Sequence, residues 1–299
     1  MIAFLCFSTA NVIAQDLFKS RQLTFNPYQQ GFPCWSPDGN YIVFQHTDRN
    51  DTIGHNGLWI VSEDGTKARQ IFKGVAEHPQ WSPDNNIIVF DADTGKSINM
   101  IPAKGGPPVT FLPDSVVIMN GGLPRWSPDA SQIAFVEGSS VSLYVYNTIS
   151  GHVKKIFHEE GMLPLPACWS PDGSSVLIAL MDRESRRSTI WKISTDGKTR
   201  QQISGHHENF YRHLAISPDG TLLVYAAMVD GYLGLYIMPS SGGRSIPLSV
   251  SPQAHSEGPS WSPDGTRIAL SKGRYGQSDI WIIDINMAEL KKELQMIKR

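Results

Sequence analysis

The chain has 299 residues, of which 40% are hydrophobic and 18% charged, and its formal net charge is −2 at pH 7. This composition is that of a globular protein and excludes an intrinsically disordered chain. The near-neutral balance gives no overall basic field, so we do not expect a nucleic-acid partner.

The first 14 residues, MIAFLCFSTANVIA, are apolar and uncharged. Val12 and Ala14 have the small-residue spacing of a signal-peptidase cleavage site, and the apolar run is too short to span a membrane. We therefore expect a secretory signal peptide over residues 1–14, an exported, periplasmic protein, and no transmembrane segment in the mature chain.

After this segment the sequence is organised by one repeated phrase, Ser-Pro-Asp. It occurs six times at intervals of 43–47 residues, and five of the six copies directly follow a tryptophan. The six serines are Ser36, Ser82, Ser127, Ser170, Ser217 and Ser262. A period of 40–50 residues predicts a repeat fold. We expect one domain over residues 16–286, followed by a helical or frayed tail over residues 287–299.

Each copy of the phrase predicts a tight turn between two strands. Proline presets the backbone of the first turn position, aspartate hydrogen-bonds the backbone, and a following glycine adopts positive φ without strain. Asn85 and Ala130 replace this glycine in the second and third copies. Short β-branched runs such as Ile42–Phe44 follow the turns, and strands with a central aromatic residue, such as Leu58–Ile60, come about ten residues later.

Counting the strand that carries the tryptophan, each repeat contains four strands. The sequence therefore predicts an all-β fold, a six-bladed β-propeller of four-stranded antiparallel blades. The last repeat has no clear fourth strand, whereas Arg21–Phe25 resembles the fourth strand at Arg69–Phe72. We expect the N-terminal strand to pair with the last blade and close the ring, which removes exposed sheet edges.

Two cysteines follow the predicted cleavage site, Cys34 and Cys168, at equivalent positions in the first and fourth repeats. In a six-bladed ring these repeats face each other across the central channel. A disulfide requires Cα atoms within about 7 Å, so both thiols are expected to be reduced and mostly buried.

The loops of a four-stranded meander alternate between the two faces of the ring. Ser-Pro-Asp turns lie on one face, which we call the turn face. The longer second-to-third loops and blade-to-blade connections lie on the other, which we call the channel-mouth face. Binding residues concentrate on varied loops held by a rigid scaffold. The candidate ligand-binding residues are therefore His78, Arg125, His206, His207, His213 and His255.

Arg125 is a candidate because it precedes a repeat tryptophan, where the other repeats have cysteine, glutamine, alanine or serine. At that place we expect its charge to point towards the channel. The repeat tryptophans are interpreted as core and the repeat aspartates as turn residues. For the loop residues a solvated loop and a ligand or metal site remain alternatives, since histidines beside a carboxylate suit a transition metal. These residues are His206, His207, Glu208 and His213. No G-x-S-x-G or H-E-x-x-H motif occurs.

The W-S-P-D-G units resemble the repeats of TolB-family propellers over about residues 20–286. The resemblance implies an exported, propeller-only relative that binds a protein or cell-envelope ligand at the channel mouth, without catalysis or a cofactor. The same repeat occurs in propeller domains of prolyl peptidases and in oligogalacturonate lyases. The alternative it implies is a metal-dependent enzyme that holds a divalent metal through channel-mouth histidines. Neither the ligand nor the oligomeric state follows from the sequence.

Overall fold

The computed structural model describes residues 17–93, 95–112, 122–137, 141–204 and 211–296, so the predicted signal peptide lies outside the described residues. The described residues form a β-propeller whose strands pair almost entirely antiparallel, with a C-terminal helix α1 (Met287–Met296). No helix in the described ranges combines the length and apolarity needed to cross a membrane.

Four sheets are separate blades of four strands in sequence order. The first two contain β6 (Ala76–Trp81), β7 (Ile87–Ala92), β8 (Ser97–Pro102) and β9 (Val109–Thr110), then β10 (Gly122–Trp126), β11 (Gln132–Glu137), β12 (Ser142–Asn147) and β13 (Val153–His158). The next two contain β14 (Met162–Trp169), β15 (Ser175–Asp182), β16 (Ser188–Ser194) and β17 (Arg200–Gln202), then β18 (Tyr211–Ile216), β19 (Leu222–Val229), β20 (Tyr232–Pro239) and β21 (Ile246–Ser249).

The remaining strands form one eight-stranded sheet rather than two separate blades. It contains β1 (Phe18–Gln22), β2 (Gln29–Trp35), β3 (Tyr41–Thr47), β4 (Gly57–Ser62), β5 (Ala68–Lys73), β22 (His255–Trp261), β23 (Arg267–Arg274) and β24 (Gln277–Ile285). Four separate blades are therefore present where six were expected. The physical reason is a parallel bridge between Gln29 of β2 and Ser278 of β24, which joins strands from the two ends of the chain.

The N-terminal strand β1 pairs antiparallel with β24. Its register runs from Phe18 opposite Ile285 to Gln22 opposite Trp281, so the strand begins three residues before the predicted start at Arg21. The backbone N–H groups of Leu23 and Thr24 extend the contact by donating to the carbonyl of Ile280.

The core lies between neighbouring sheets, and most second strands are buried on both faces. In β15, for example, seven successive residues from Ser175 are buried. This differs from the alternating pattern of a sheet with one wet face, because the blade of β15 is covered by a neighbour on either side. Helix α1 adds Leu290 and Leu294 to a cluster that also contains Leu17.

The Ser-Pro-Asp turns share one hydrogen-bond pattern. In the first, the Ser36 hydroxyl donates to Asp38 Oδ1 at 2.6 Å and accepts from the Tyr41 N–H at 2.9 Å. The position after aspartate has positive φ throughout, including 67° at Asn85 and 61° at Ala130. The turn chemistry expected from the sequence is therefore present even where glycine is absent.

The eight tryptophans divide into two groups. Those before the Ser-Pro-Asp turns are buried, with exposed fractions of 4–8%. The three on third strands, Trp59, Trp191 and Trp281, are half-buried and pack against the core clusters, so they form the margin of the core. Arg200 and Lys272 stack over the rings of Trp191 and Trp281.

Candidate functional site

Six innermost strands, β2, β6, β10, β14, β18 and β22, surround a central cavity of about 460 Å³. Its wall is made mainly of the five repeat tryptophans and of prolines from the turns and inner strands. The cavity extends from Phe32, His213 and Gly258 at the channel-mouth end to turn prolines such as Pro37 and Pro83 at the other.

The residues that precede the repeat tryptophan positions form a ring on this wall, as expected for Arg125. The ring consists of Cys34, Gln80, Arg125, Cys168, Ala215 and Ser260. Several members hydrogen-bond from one inner strand to the next. The Trp126 N–H donates to Gln80 Oε1 at 2.5 Å, and the Trp35 N–H donates to Ser260 Oγ at 3.1 Å. Sequence reasoning missed this role, although the position was singled out.

The two cysteines are free and half-buried. Burial raises the pKa of Cys34 and raises the pKa of Cys168 to about 12, although nearby hydrogen bonds and Arg125 act in the opposite direction. Both side chains are therefore neutral thiols at physiological pH. They are unpaired, as predicted, but half-buried rather than mostly buried.

Each innermost strand contains a register shift just before its repeat tryptophan position. In five of the six strands the shifted residue has positive φ, and these residues are Phe32, His78, Leu123, His213 and Gly258. Residues other than glycine rarely adopt this conformation, and bulges of this kind redirect side chains. His78, His213 and also His255 thus lie on innermost strands, and their assignment to blade-to-blade connections was wrong.

The bulges bring Phe32, His78 and His213 together. The Phe32 ring centroid lies 4.1 Å from that of His78 and 5.0 Å from that of His213. Gly258 makes room for this group, since a Cβ there would lie 3.2 Å from the Phe32 Cα. We call these three side chains the mouth cluster. Phe32 has no distinguishing motif in the sequence, so only the fold reveals it.

His213 belongs to a polar network with Arg212 and Glu257. Arg212 donates through Nε to His213 Nε2 at 3.2 Å, which leaves the ring proton on Nδ1. That Nδ1 lies 3.7 Å from Glu257 Oε2 and has no hydrogen-bond partner within the described ranges. Burial, with Arg212 as a further cause, holds the pKa of His213 well below its usual range, so the ring is neutral.

His78 pairs instead with Asp91 of β7. Its Nδ1 lies 3.1 Å from both carboxylate oxygens of Asp91, whose side chain is 2% exposed. Together with Glu77, these residues place one ligand atom each within 4.8 Å of one another, a spacing that a metal ion could bridge. Gly122 packs against this group, since a Cβ there would lie 2.7 Å from the Asp91 Cβ. In the sequence, Asp91 is marked only by its place directly after the apolar run Ile87–Phe90, where a carboxylate is unexpected.

Of the other predicted histidines, His255 does not join the mouth cluster. His255 accepts a hydrogen bond from the Leu233 N–H at 3.1 Å and lies beside Tyr232, away from the cavity wall. His206 and His207 lie outside the described residues.

Exposed apolar side chains are concentrated on the channel-mouth face. Eight large hydrophobic residues of the described ranges are exposed, and five of them belong to second-to-third loops or blade-to-blade connections. These five are Phe25, Ile53, Val75, Val250 and Tyr275. Two of the loops meet, because the Arg49 guanidinium lies 5.7 Å from the centre of the Tyr275 ring.

A family model described as PD40, TolB beta propeller domain, matches residues 96–290, which is more than half of the chain. The chain belongs to this family. Tol-Pal system protein TolB of Francisella tularensis subsp. mediasiatica is 30% identical to this TolB-like propeller over 99 residues, which is 32% of the chain and 22% of that protein. Matches to the curated relatives span only 21–56% of their length.

Solved structures share the fold of this TolB-like propeller. A putative TolB from Agrobacterium tumefaciens has a TM-score of 0.65 at 18% identity, covering 91% of this chain and 98% of that one. An oligogalacturonate lyase in complex with manganese has a TM-score of 0.59 at 14% identity, covering 91% and 97%. At these identities the similarity establishes the architecture alone.

Proposed function

We propose that this TolB-like propeller is a non-catalytic binding protein that engages a protein or cell-envelope ligand through its channel-mouth face. The observation that carries the proposal is the set of five exposed apolar side chains on that face. Large exposed apolar patches on soluble proteins mark interaction sites, so we expect a ligand to cover these side chains. The turn face, in contrast, carries six regular Ser-Pro-Asp turns, in each of which the serine hydroxyl donates to the aspartate of the same turn.

The apolar groups sit on one side of the ring. Phe25, Ile53 and Tyr275 come from loops of the eight-stranded sheet, and Val75 and Val250 come from the connections that adjoin it. The mouth cluster and the Arg212–Glu257 pair lie inwards of these loops and add polar groups. Apolar side chains at the centre with polar groups around them are the usual make-up of a protein-binding surface.

A closed six-bladed scaffold forms part of the proposal. The eight-stranded sheet would comprise two blades, β2–β5 and β22–β24 with β1, which together with the four separate blades makes six. The six innermost strands around one cavity support this count. The β1–β24 pairing would latch the ring and hold the loops at fixed positions. We further propose export to the periplasm, supported by the apolar segment at residues 1–14 and by the TolB relative.

Site-specific photo-crosslinking tests the binding face. A photoreactive phenylalanine analogue at Tyr275 or at Ile53 is expected to form a defined adduct with an envelope component of the native host. The matched control is Ile149, which is 87% exposed but lies on the turn face. Adducts would be detected by gel shift and identified by mass spectrometry. Equal adduct patterns from both faces, or adducts from Ile149 alone, would contradict the proposal.

A metal-dependent enzyme is the second candidate, and the Glu77–His78–Asp91 group is the observation that favours it. The similar lyase was solved with manganese, and two carboxylates with an imidazole are suitable ligands for such an ion. Against it, the positive charge of Arg125 interacts with Asp91 and opposes a second cation there. This opposition is why the binding function is preferred.

Manganese titration separates the two candidates. For the binding protein, we expect no change in melting temperature on adding manganese and no bound metal after dialysis. The enzyme predicts a stoichiometric ion and a rise of several degrees that His78→Ala abolishes. His255→Ala is the matched control, since His255 lies outside the Glu77–His78–Asp91 group and should leave any manganese effect intact.

A further inference from the structure

We propose that the central channel binds a small organic monoanion, whose carboxylate pairs with the Arg125 guanidinium and whose apolar body packs against the tryptophan and proline wall. This site is distinct from the exposed loops of the channel-mouth face and does not depend on the proposed function. Its evidence is the charge, the hydrogen bonding and the shape of the cavity.

Arg125 is the one charged side chain on the cavity wall in the part of the chain that the structure describes. The other titratable groups on the wall are Cys34, Cys168 and His213. Burial raises the pKa of both thiols and lowers the pKa of the histidine, so all three are neutral at pH 7. Burial lowers the pKa of Arg125 as well, but a guanidinium remains protonated in proteins. The cavity therefore carries a net positive charge.

No carboxylate of the described residues neutralises this charge at contact distance. Asp91 acts on Arg125 electrostatically but forms no ion pair with it within 4.0 Å among those residues, and Asp91 does not line the cavity. Its carboxylate is already engaged with His78 at 3.1 Å. A cation left without a contact partner in a partly desolvated cavity is costly, and a bound anion would remove that cost.

The hydrogen bonding of Arg125 leaves room for a ligand. Nη1 donates to the neighbouring Pro124 carbonyl at 2.9 Å. Among the described residues, this is the hydrogen bond that the Arg125 side chain makes. The edge formed by Nε and Nη2 is then available. This edge presents two parallel N–H groups, the arrangement that binds both oxygens of a carboxylate.

Two other ring positions explain why the anion site is at Arg125. Gln80 and Ser260 use their side-chain oxygens to accept backbone N–H groups from adjacent inner strands. Arginine has no acceptor atom and cannot do this. Arg125 therefore contributes little to the hydrogen bonds between strands through its side chain, and its guanidinium faces the cavity instead.

The rest of the wall selects the apolar part of the ligand. Indole rings from five of the six inner strands, with pyrrolidine rings from inner strands and the turns after them, surround the cavity, whose volume of about 460 Å³ falls within the range of small-molecule sites. Flat rings pack well against such a wall. At the channel-mouth end, Phe32 stands between His78 and His213, so the site favours compact molecules over bulky or highly charged ones.

Benzoate and benzamide are the probes that test the proposal, because they have nearly the same shape and differ in charge. Five tryptophans line the cavity, so their fluorescence reports its occupancy. At constant ionic strength, millimolar benzoate is expected to quench the intact protein saturably, and benzamide is not. Arg125→Gln should weaken benzoate binding at least about tenfold, the effect of losing a charge-assisted hydrogen bond. The benzoate affinity of Arg125→Lys should lie between that of the parent chain and that of Arg125→Gln.

Arg244→Gln is the matched control, since Arg244 is exposed near the turn face and should bind benzoate like the parent chain. Thermal melts establish that each variant is folded. If Arg125→Gln does not fold, Arg125→Lys still tests the proposal. Equal binding of benzoate and benzamide, no saturable binding of either, or undiminished benzoate binding by Arg125→Gln would overturn the proposal. Crosslinking from Tyr275 tests the channel-mouth binding face and not the anion site at Arg125, so one proposal can fail while the other holds.

Discussion

Deletion of residues 16–26 is expected to lower the melting temperature by at least about 10 °C. The deletion removes β1 and exposes the edge of β24, to which β1 contributes five register pairs. It also removes Leu17 and Leu23, which are 1% and 5% exposed and belong to two different core clusters. Each buried leucine contributes about 2–5 kcal/mol, and each kcal/mol corresponds to about 2–4 °C in a chain of this size.

Two single substitutions within the same segment sharpen this prediction. Leu17→Ala should destabilise the protein by about 2–5 kcal/mol, whereas Phe25→Ala should be nearly neutral because Phe25 is 80% exposed. Thermal unfolding followed by near-ultraviolet circular dichroism measures both. An unchanged melting curve for the deletion would rule out β1 as the latch of the ring.

Stability is expected to decrease as the pH falls from about 4 towards 2, because six turn carboxylates act together. The hydroxyl of Ser170 and the N–H of Ser174 hold the pKa of Asp172 at about 2, below its ordinary value of 3.8. The pKa values of the equivalent aspartates, Asp38, Asp84, Asp129, Asp219 and Asp264, are also lowered. At Asp38 and Asp264 burial is the largest single influence and opposes this shift, but the hydrogen bonds outweigh it.

The direction follows from proton linkage. A carboxyl group whose pKa is lower in the folded state stabilises the fold above its unfolded pKa, and the contribution disappears as the pH falls through its folded pKa. The unfolded chain therefore binds more protons than the folded chain in this window. Six such groups should give a steep dependence of the free energy of unfolding on pH below about 4, and little dependence from them above pH 5.

Urea unfolding at a series of pH values measures this dependence. Asp172→Asn should reduce the proton uptake on unfolding by about one, while Asp284→Asn, an exposed site on β24 outside the turns, serves as control. Ser170→Ala should act in the same direction as Asp172→Asn, because it removes the donor that stabilises the charged carboxylate. A free energy of unfolding that stays constant from pH 5 to pH 2 would contradict the role given to the turns.

The correct and incorrect sequence predictions differ in the distance over which their causes act. The turns at Asn85 and Ala130 were predicted because proline, aspartate and serine act within five residues. The positions of His78 and His213 were assigned wrongly, since the bulges that place them depend on how each innermost strand pairs with the second strand of its own blade. The single bridge between Gln29 and Ser278, which merges two expected blades into one sheet, joins residues that are neighbours only in the folded chain.

The sequence by itself determined the repeat, the turn chemistry and the propeller architecture of this protein, because these follow from local backbone preferences repeated six times. The Ser-Pro-Asp phrase belongs to the scaffold, on the face opposite the exposed apolar loops. Only the tertiary structure decided which side chains meet at the channel. A register shift in each innermost strand redirects side chains and brings Phe32, His78 and His213 together from distant repeats. The same strand arrangement leaves Arg125 as a charge within an apolar cavity.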